Sequence, residues 1–415
     1  MIFDSESVFE ENVITVLKQH GWKDGVLRYP TERDLLDNWK GILYRNNNDI
    51  DRLGKYPLTD GEMTQIIEQI ETLRTPLALN SFVNGRTVSI TRDNKEDVAH
   101  FGKEVSLYIY DRKEIAGGKS TYQIAQQPVY PAKNKMLNSR RGDLVLLING
   151  MPLIHIELKR SGIPVSQATN QIEKYAHEGV FTGLFRLVQI FVAMNPDDAV
   201  YFANPGVDKF NPSYYFHWAD YNNEPICGGQ NPGKDEWKLF IGGTSGTAGL
   251  LSIPMAHQLI GFYTIADSAD GCLKVLRSYQ YLAANAISDV VRKCDWEQRP
   301  ATPGRPGGYV WHTTGSGKTM TSFKSAQLIA DSHDADKVVF LMDRIELGTQ
   351  SLKEYRSFAD SETEVQGTEN TGVLRDKLNS TNVNDTLIVT SIQKMSNVKA
   401  GERGVTQTWL DQLAE

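Results

Sequence analysis

Two carboxylates and a lysine in the first half of the chain have the types and spacing that metal-assisted chemistry needs. Asp143 opens one apolar run, and Glu157 and Lys159 lie two positions apart in the next run. Residues two apart in a strand share one face, so Glu157 and Lys159 point the same way. Two nearby carboxylates form the hard oxygen site that Mg²⁺ prefers. The metal would activate a water and stabilise charge on a scissile phosphate, and Lys159 would position that water or neutralise the transition state.

The turn between the two runs decides whether Asp143 joins Glu157. Asn-Gly at 149–150, between apolar runs, predicts a β-hairpin. A two-residue turn puts Asp143 opposite Ile156, so that the two carboxylates lie on opposite faces. A three-residue loop over 149–151 pairs Asp143 with Glu157, with Cβ atoms about 5 Å apart. We predict the three-residue loop, or a compensating bulge, because only then do the carboxylates converge.

The second half contains a glycine-rich loop of the kind that cradles phosphate, HTTGSGKT at 312–319. Its glycines let successive backbone amides turn inward around phosphate oxygens at the positive end of the following helix. Lys318 is expected to reach the β- and γ-phosphates of ATP, and Thr319 to ligate Mg²⁺. His312 stands where the general Walker A pattern has glycine. The predicted nucleotide-binding residues of the loop are Thr314, Gly315, Ser316, Gly317, Lys318 and Thr319.

The elements that must position these residues follow two patterns. Before residue 250 the pattern is α+β, with predicted helices Ser5–His20 and Ser166–Glu178 and predicted strands Val105–Tyr110, Leu144–Ile148, Leu153–Leu158 and Gln189–Met194. After residue 275 the predicted helices Ser278–Lys293 and Lys318–Ala330 alternate with strands Gly308–His312, Lys337–Met342 and Thr386–Thr390. Such alternation is typical of a doubly wound α/β domain with a parallel sheet. The predicted fold class is therefore α/β, an α+β domain with a mixed sheet followed by a doubly wound domain.

Length and composition favour two domains in a protein without a membrane partner. A chain of 415 residues exceeds what one hydrophobic core usually serves, and the glycine-rich stretch Cys227–Gly249 places the expected boundary near residue 250. No apolar run approaches the roughly 20 residues that span a bilayer, and the N-terminus lacks the basic start of a signal peptide. A cytoplasmic location is expected.

The net charge of −7 gives no support for nucleic-acid binding, although a local patch could still bind phosphate. The patch is Lys133, Lys135, Arg140 and Arg141. Three cysteines are too widely spaced for a metal site or an obvious disulfide framework. They are Cys227, Cys272 and Cys294. Net charge and cysteine content therefore do not decide whether the protein binds nucleic acid.

The hairpin resembles the PD-(D/E)xK nuclease family, as Asp143…Glu157-x-Lys159. Gly142 replaces the proline that the family has before the acid, a departure that leaves the metal ligands intact. The resemblance implies a further metal ligand on the opening helix, with Glu10 preferred to its neighbour at 11. The metal ligands implied are Asp143, Glu157 and Glu10.

The helix after the hairpin adds a second resemblance to nucleases. Gln171-x-x-x-Tyr175 matches the motif that follows the Glu-x-Lys strand in RecB-like nucleases and type I restriction subunits. There it helps to orient the DNA or the catalytic residues. A polar stripe on a helix is more often a solvated surface, so the implied role depends on where the structure places these side chains.

The region after the glycine-rich loop resembles superfamily 2 helicases. The run 338–347 is similar to motif Ia, and the run 386–394 is similar to a strand-end motif that touches the DNA backbone. Gln280, which lies 32 residues before His312, resembles an upstream glutamine that reads adenine, although a helix-surface glutamine is an equal alternative. The order of these segments implies a first RecA-like translocase lobe at 251–415. No Asp-Glu-x-His box or second lobe follows, so we expect an N-terminal part of a larger protein that binds ATP weakly and does not translocate alone.

A nuclease followed by a translocase, in this order, is similar to the R (restriction) subunit of type I restriction–modification enzymes over essentially the whole chain. The resemblance implies an endonuclease domain at 1–250, with Mg²⁺ and ATP as cofactors and double-stranded DNA as substrate. It also implies an assembly with methylation (M) and specificity (S) subunits. Those partners recognise unmethylated sites, ATP hydrolysis pulls DNA through the complex, and the nuclease cuts at a distance.

Two other functions fit the same motifs. One is an autonomous helicase–nuclease, type III-like or a repair enzyme, that works without a methylation partner. The other is a non-cleaving ATP-switch scaffold, in which Asp143 and Glu157 are only surface charges, as a Glu-x-Lys pair on a strand commonly is. Opposite-face carboxylates would exclude a nuclease. Metal binding that disappears in Glu157→Ala would exclude the scaffold.

Overall fold

The computed structural model describes residues 2–115, 117–131, 140–229, 235–293, 307–343 and 345–398. They form two compact units that divide between Ala266 and Tyr279, where Asp267–Ala269 belongs to the second unit and Asp270–Ser278 to the first. The division comes later in the chain than the boundary expected near residue 250. The reason is that the chain after residue 250 remains bonded to the first unit. Trp22 Nε1 donates to the Leu251 carbonyl oxygen at 2.6 Å.

The first unit combines helices with short strands. Its helices are α1 (Glu6–Gln19), α2 (Glu32–Asn46), α3 (Asp60–Thr72), α4 (Pro76–Asn84), α5 (Val165–Glu178), α6 (Glu236–Gly242) and α7 (Met255–Gly261). Its strands are β1 (Val26–Arg28), β2 (Thr87–Thr91), β3 (Glu104–Tyr108), β4 (Tyr122–Gln126), β5 (Leu144–Ile148), β6 (Met151–Leu158), β7 (Ile190–Met194), β8 (Ala199–Ala203), β9 (Thr264–Asp267) and β10 (Cys272–Val275).

A six-stranded sheet forms the centre of this unit, in the order β1-β4-β5-β6-β7-β8. The pairs β1–β4 and β6–β7 are parallel, and the other neighbours are antiparallel, so the predicted mixed sheet is confirmed. Every residue of β4 to β8 is buried, so both faces of the sheet are covered. A charged side chain on these strands is therefore shielded from water by the fold itself.

Helix α1 brings an acidic side chain to the sheet. Ser5 caps its N-terminus by accepting a hydrogen bond from the Val8 amide, and the apolar stripe of Phe9, Val13 and Leu17 is fully buried. Glu10 lies on the same inward side and is only 3% exposed. A helical stripe of this kind normally excludes charge, so the position of Glu10 calls for polar partners in the interior.

Helix α5 covers one face of the sheet. Its Ala168 and Ile172 pack against Phe191 and Ala193 of β7 in one buried cluster. Phe191 pairs with His155 and Ala193 with Glu157 in the parallel β6–β7 register. The strand face that carries His155 and Glu157 is therefore the face that α5 covers.

The second unit has a parallel sheet flanked by helices. Its helices are α8 (Ser278–Lys293), α9 (Lys318–Ser332), α10 (Ile345–Phe358), α11 (Thr371–Asn379) and α12 (Ile392–Ser396). Its strands are β11 (Val338–Met342), β12 (Val365–Gly367) and β13 (Leu387–Ser391), in the order β11-β13-β12. Both pairs are parallel, which confirms the α/β alternation predicted for this region.

The predicted elements agree with the structure to within two residues at either end, with one exception. The predicted helices correspond to α1, α5, α8 and α9, and the predicted strands to β3, β5, β6, β7, β11 and β13. The exception is Gly308–His312, which is not a strand. Tyr309 and Trp311 are 89% and 87% exposed, and the described backbone here has no ladder partner, which an extended segment needs to become a strand. Among the described residues, no helix is both long and apolar enough to cross a membrane.

Candidate active site and nucleotide-binding loop

The β5–β6 hairpin combines a two-residue turn with a bulge. Ile148 pairs with Met151 across the turn, which by itself would separate the carboxylates. The register then shifts between Leu146 and Leu147, so that Leu144 pairs with Ile156. One further step in this register sets Asp143 opposite Glu157. The predicted compensating bulge is therefore confirmed, and the two carboxylates share one face.

The two carboxylates meet beside the C-terminal end of β6, an interior strand of the sheet. Asp143 Oδ2 accepts a hydrogen bond of 2.7 Å from the Leu158 amide, which ties the start of β5 to the end of β6. The Gln127 amide in turn donates to the Asp143 carbonyl oxygen at 2.7 Å. Glu157 is 0% exposed. Asp143 is thus tied to the strand backbone and Glu157 is enclosed, so neither is a mobile surface charge.

Burial perturbs both acids in the same direction. It raises the pKa of Asp143 well above its usual range, and the charge of Glu157 raises it further. Burial also raises the pKa of Glu157 to about 8, against the opposing effect of Lys159. Two desolvated carboxylates this close titrate as a pair. Ionising both acids near neutral pH therefore needs compensating positive charge, and this kind of perturbation in a packed site is typical of functional positions.

Lys159 supplies part of that positive charge. Its Nζ lies 3.6 Å from Glu157 Oε1 and 3.7 Å from Glu6 Oε1, and it donates to the Leu158 carbonyl oxygen at 2.8 Å. The side chain is largely buried. Glu6, on the first turn of α1, was not predicted from the sequence, because a glutamate in a first helical turn ordinarily serves the helix dipole.

The Glu10 carboxylate contacts two glutamine side chains. Its Oε1 accepts from Gln126 Nε2 at 2.5 Å, and both of its oxygens accept from Gln127 Nε2 at 3.2–3.3 Å. The described residues contain no group of three or more His, Cys, Asp or Glu side chains placed to hold a metal ion. Glu10 still raises the pKa of Asp143 by its charge, so it lies near the pair. Its role as a third ligand stays a prediction.

The donor set nevertheless fits a divalent cation. Both Glu157 oxygens are buried without a well-formed hydrogen bond, although Lys159 and His155 lie within ion-pair distance. Buried carboxylate oxygens without hydrogen bonds are costly unless something compensates them. Oxygen ligands of this kind select hard cations such as Mg²⁺ or Mn²⁺ over thiophilic metals. Asp143 and Glu157 are the residues that would hold one.

The raised pKa of Glu157 predicts how stability depends on pH without metal. The folded pKa of about 8 exceeds the ordinary value of 4.5, so stability falls as pH rises from about 4.5 to about 8. Glu157→Gln removes this loss, and we expect the variant to be more stable than wild type by a few kcal/mol at pH 8 and much less so at pH 5. Urea unfolding in the presence of a chelator measures the free energy of unfolding of both proteins at the two pH values.

A matched control is Glu62→Gln. Glu62 is equally buried but pairs with Arg92 at 2.7 Å, so its neutralisation should lower stability at both pH values. A Glu157→Gln variant that is less stable than wild type at pH 8 would contradict the assigned burial cost.

The Gln-x-x-x-Tyr motif of α5 is connected to the strand that carries Asp143. Gln171 Nε2 donates to the Tyr175 hydroxyl at 2.7 Å, and that hydroxyl donates to the Arg141 carbonyl oxygen at 2.9 Å. Arg141 lies two residues before Asp143. The geometry supports a positioning role for Gln171 and Tyr175. A direct contact with DNA stays a prediction.

His155 and Tyr130 form part of the site and were not assigned a role from the sequence. His155 is fully buried beside Glu157, with Nε2 3.3 Å from Glu157 Oε2 and Nδ1 2.8 Å from the Tyr130 hydroxyl. Burial lowers the pKa of His155 to about 4, so the imidazole is neutral. Strand alternation already put His155 on the face of Glu157 and Lys159. Nothing in the sequence indicated Tyr130.

The Tyr130–His155 pair also explains the glycine at 142. A Cβ on Gly142 would lie 2.5 Å from the Tyr130 hydroxyl and 2.9 Å from His155 Cε1. We therefore expect Gly142→Ala to destabilise the protein by about 1–3 kcal/mol through overpacking. Gly41→Ala is the control. Gly41 lies within α2 with open space at its Cβ, so the substitution should stabilise by about 0.5–1 kcal/mol. Equal effects of the two substitutions in urea unfolding would contradict this account.

The glycine-rich loop at 312–319 leads directly into α9. Gly315 and Gly317 have positive φ angles of 78° and 80°, which only glycine adopts without strain, and Gly317 is the N-cap residue. A glycine cap brings no side chain to the helix N-terminus, so the first amides of α9 stay open to an anion. Lys318 is exposed, and its Nζ donates to the Thr313 carbonyl oxygen at 2.9 Å. The loop is shaped for phosphate.

Helix α8 holds this loop from the side. The Tyr279 hydroxyl donates to the Ser316 carbonyl oxygen at 2.9 Å, and its ring packs edge-on against His312. Gln280 is 4% exposed, and its Nε2 lies 3.4 Å from the carbonyl oxygens of Ser316 and Gly317. Gln280 therefore contacts the loop, as the resemblance to an upstream glutamine requires. Adenine recognition by Gln280 stays a prediction.

Several DNA-contact predictions fall on strand ends or outside the described residues. Gln393 Nε2, after β13, donates to the Asp343 carbonyl oxygen after β11 at 2.8 Å, so the two helicase-like segments meet. Residue 344 in the first of them lies outside the described residues, as do Lys133, Lys135 and Cys294. Arg140 forms a bidentate ion pair with Glu178 at 2.8–2.9 Å. The basic patch stays a prediction.

Two family models match separate parts of the chain. The model described as the type I restriction enzyme R protein N terminus matches residues 4–210, which contain the hairpin and α5. The SWI2/SNF2 ATPase model matches residues 279–412, which contain the glycine-rich loop. The chain thus has a domain of the type I restriction enzyme R protein class followed by a domain of the SWI2/SNF2 ATPase class.

Proteins that are similar over most of the chain are also type I restriction enzyme subunits. The endonuclease subunit of a type I restriction enzyme from Staphylococcus saprophyticus is 32% identical over 404 residues, which cover 95% of this chain and 37% of the relative. One from Staphylococcus aureus is 33% identical over 403 residues, covering 97% and 38%. The type I restriction enzyme EcoprrI endonuclease subunit from Escherichia coli is 26% identical over 321 residues, covering 75% and 90%.

The chain belongs to the family of type I restriction enzyme R proteins. It spans less than two fifths of the length of the staphylococcal relatives.

Proposed function

We propose that this chain supplies the nuclease and the first motor lobe of a type I restriction enzyme. The nuclease cleaves double-stranded DNA in the presence of Mg²⁺, and the lobe binds ATP to drive translocation. The observation that carries the nuclease is the bulge in the β5–β6 hairpin, which brings Asp143 and Glu157 to one face. Surface charges would not need that register or that burial, so the observation disfavours the scaffold function.

Each polar residue of the site has a separate task in this proposal. Asp143, fixed by the Leu158 amide, and Glu157 would hold Mg²⁺. When bound, the metal supplies an activated water and charge stabilisation at the phosphate. Lys159, held beside Glu157, places a positive charge where the transition state accumulates negative charge. Gln171 and Tyr175 hold the backbone that leads into Asp143.

The glycine-rich loop carries the proposed motor function. Lys318 is exposed at the mouth of the loop and can exchange its contact with the Thr313 carbonyl for a phosphate oxygen. Thr319, on the first turn of α9, would ligate Mg²⁺ of the nucleotide. Tyr279 and Gln280 restrain the loop from α8, which preorganises it for the nucleotide.

The proposed partners are the methylation (M) and specificity (S) subunits, and the proposed compartment is the cytoplasm, where incoming DNA is met. The test is cleavage of unmethylated and methylated plasmid by the R protein with Mg²⁺ and ATP, with and without M and S subunits. Cleavage of unmethylated plasmid alone, dependent on ATP and both partners, is the expected result. Cleavage without the partners would favour an autonomous helicase–nuclease. No cleavage by an assembled complex would contradict the proposal.

A further inference from the structure

The two oxygens of the buried Glu157 carboxylate face different neighbours. Oε1 lies 3.6 Å from Lys159 Nζ, and Oε2 lies 3.3 Å from His155 Nε2. The Asp143 carboxyl group also lies beside this carboxylate. Neither Glu157 oxygen makes a hydrogen bond of good geometry, and His155 Nε2 is also buried without one. The 3.3 Å separation places the imidazole nitrogen within reach of a hydrogen bond to Oε2.

The Tyr130 hydroxyl contacts the imidazole nitrogen that faces away from Glu157. Its hydroxyl lies 2.8 Å from His155 Nδ1. When the hydroxyl donates to Nδ1, Nε2 is the imidazole nitrogen that carries a hydrogen, and it faces Glu157. The opposite tautomer would direct the Nε2 lone pair at the carboxylate. Only the first arrangement offers the Glu157 oxygen a hydrogen-bond donor.

Aromatic packing fixes the orientation of the imidazole. The His155 ring is fully buried, with Tyr130, Tyr175, Phe181 and Phe191 around it at centroid distances of 5.4–6.4 Å. The missing Cβ at Gly142 leaves the space that the Tyr130 hydroxyl occupies. The donor on Nε2 is thus preorganised and costs little to hold.

We propose that His155, oriented by Tyr130, is a positioning residue that anchors Oε2 of Glu157 and so leaves the other oxygen to a divalent cation. The inference rests on the proposed metal site of the nuclease and adds the residues that hold one of its metal ligands in place. Hydrogen-bonded partners of metal-ligating carboxylates commonly contribute 10- to 100-fold in metal affinity. Tyr130 would act on Glu157 only indirectly, by fixing which nitrogen of the His155 imidazole carries the hydrogen.

Calorimetric titration of the 415-residue chain with Mn²⁺ tests this role. We expect His155→Ala to weaken Mn²⁺ binding about 10- to 100-fold. Tyr130→Phe, which removes one hydroxyl and keeps the ring packing, should weaken it in the same direction by less. His155→Gln retains an N–H donor and should recover part of the loss.

The chain offers matched controls in a second buried pair. His257 is also fully buried, and its Nδ1 lies 2.9 Å from the Tyr122 hydroxyl, but its Nε2 faces the Asp111 carbonyl oxygen. His257→Ala and Tyr122→Phe should lower the unfolding temperature without changing Mn²⁺ affinity. If His155→Ala fails to fold, Tyr130→Phe against Tyr122→Phe decides the matter.

Two failures are distinguishable. Wild-type Mn²⁺ binding that is unchanged in His155→Ala and Tyr130→Phe would overturn the positioning role alone. A wild-type chain that binds no Mn²⁺, or binds it equally after Glu157→Gln, would overturn the proposed nuclease site and this inference with it. Loss in His155→Ala with recovery in His155→Gln supports both.

Discussion

Glu157→Gln and Asp143→Asn should each abolish DNA cleavage by the assembled R protein while leaving ATP hydrolysis intact. Each substitution keeps the shape of the side chain but removes one of the two anionic ligands proposed for Mg²⁺. Loss of metal-derived charge stabilisation is worth several kcal/mol, so we expect cleavage at least about 1000-fold slower. Plasmid cleavage and phosphate release, measured on the same preparation, give the two rates.

The control is Glu173→Gln, an equally isosteric change at a half-buried position of α5. It should leave both rates unchanged. Cleavage retained in Glu157→Gln would place the nuclease elsewhere in the protein. Glu10→Gln tests the third ligand: a cleavage loss comparable to that of Asp143→Asn would assign Glu10 to the metal site, and an unchanged rate would confine it to its contacts with Gln126 and Gln127.

Lys318→Ala should show the complementary pattern. The substitution removes the cation proposed to neutralise the β- and γ-phosphates, and we expect ATP hydrolysis by the assembled enzyme to fall at least about 100-fold. Cleavage that depends on translocation should fall with it, while Mn²⁺ binding at Asp143 and Glu157 stays at the wild-type level. Phosphate release together with calorimetric Mn²⁺ titration separates the two sites.

Lys293→Ala is a suitable control, because Lys293 is exposed at the end of α8 and pairs only with Asp289 among the described ion pairs. It should leave hydrolysis unchanged. Hydrolysis at the wild-type rate in Lys318→Ala would contradict the assignment of the 312–319 loop as the nucleotide site.

The hairpin shows how far local sequence rules reach. Asn149-Gly150 correctly indicated a turn, and the need for converging carboxylates correctly implied a bulge in the absence of a longer loop. The position of the bulge also had a local signal. Pro152 cannot donate a ladder hydrogen bond and is tolerated within a sheet mainly at edges and bulges. It pairs with Leu147 where the register shifts.

Other features depend on contacts distant in sequence and were therefore missed. Tyr130 reaches His155 from a different part of the chain, and its role follows from a hydroxyl that lies within 2.8 Å of the ring. The family resemblance implied Glu10 as a further metal ligand, but the two glutamines that its carboxylate contacts come from β4 and the residue after it. The expected strand at Gly308–His312 failed because a strand needs a neighbouring ladder, which local propensity does not supply.

The two compact units divide later in the chain than residue 250, and this too depends on contacts distant in sequence. The glycine-rich stretch before residue 250 looked like a linker, yet the chain after it packs back on the first unit. Tyr110 donates to the His257 carbonyl oxygen at 2.9 Å, and Leu259 and Ile260 of α7 are fully buried. Glycines there permit close approach, since a Cβ on Gly249 would lie 2.3 Å from the Ile241 carbonyl oxygen. A packed glycine-rich turn and a flexible linker have the same composition.

In the proposed nuclease site, Asp143 and Glu157 hold one divalent cation between them. Anomalous diffraction from crystals of the chain soaked in Mn²⁺ locates such an ion directly. We predict a single strong peak within coordination distance, about 2.0–2.3 Å, of both carboxylates, with no peak there in Glu157→Gln crystals. A Mn²⁺ peak that avoids both carboxylates, or an empty site at saturating Mn²⁺, would contradict the account.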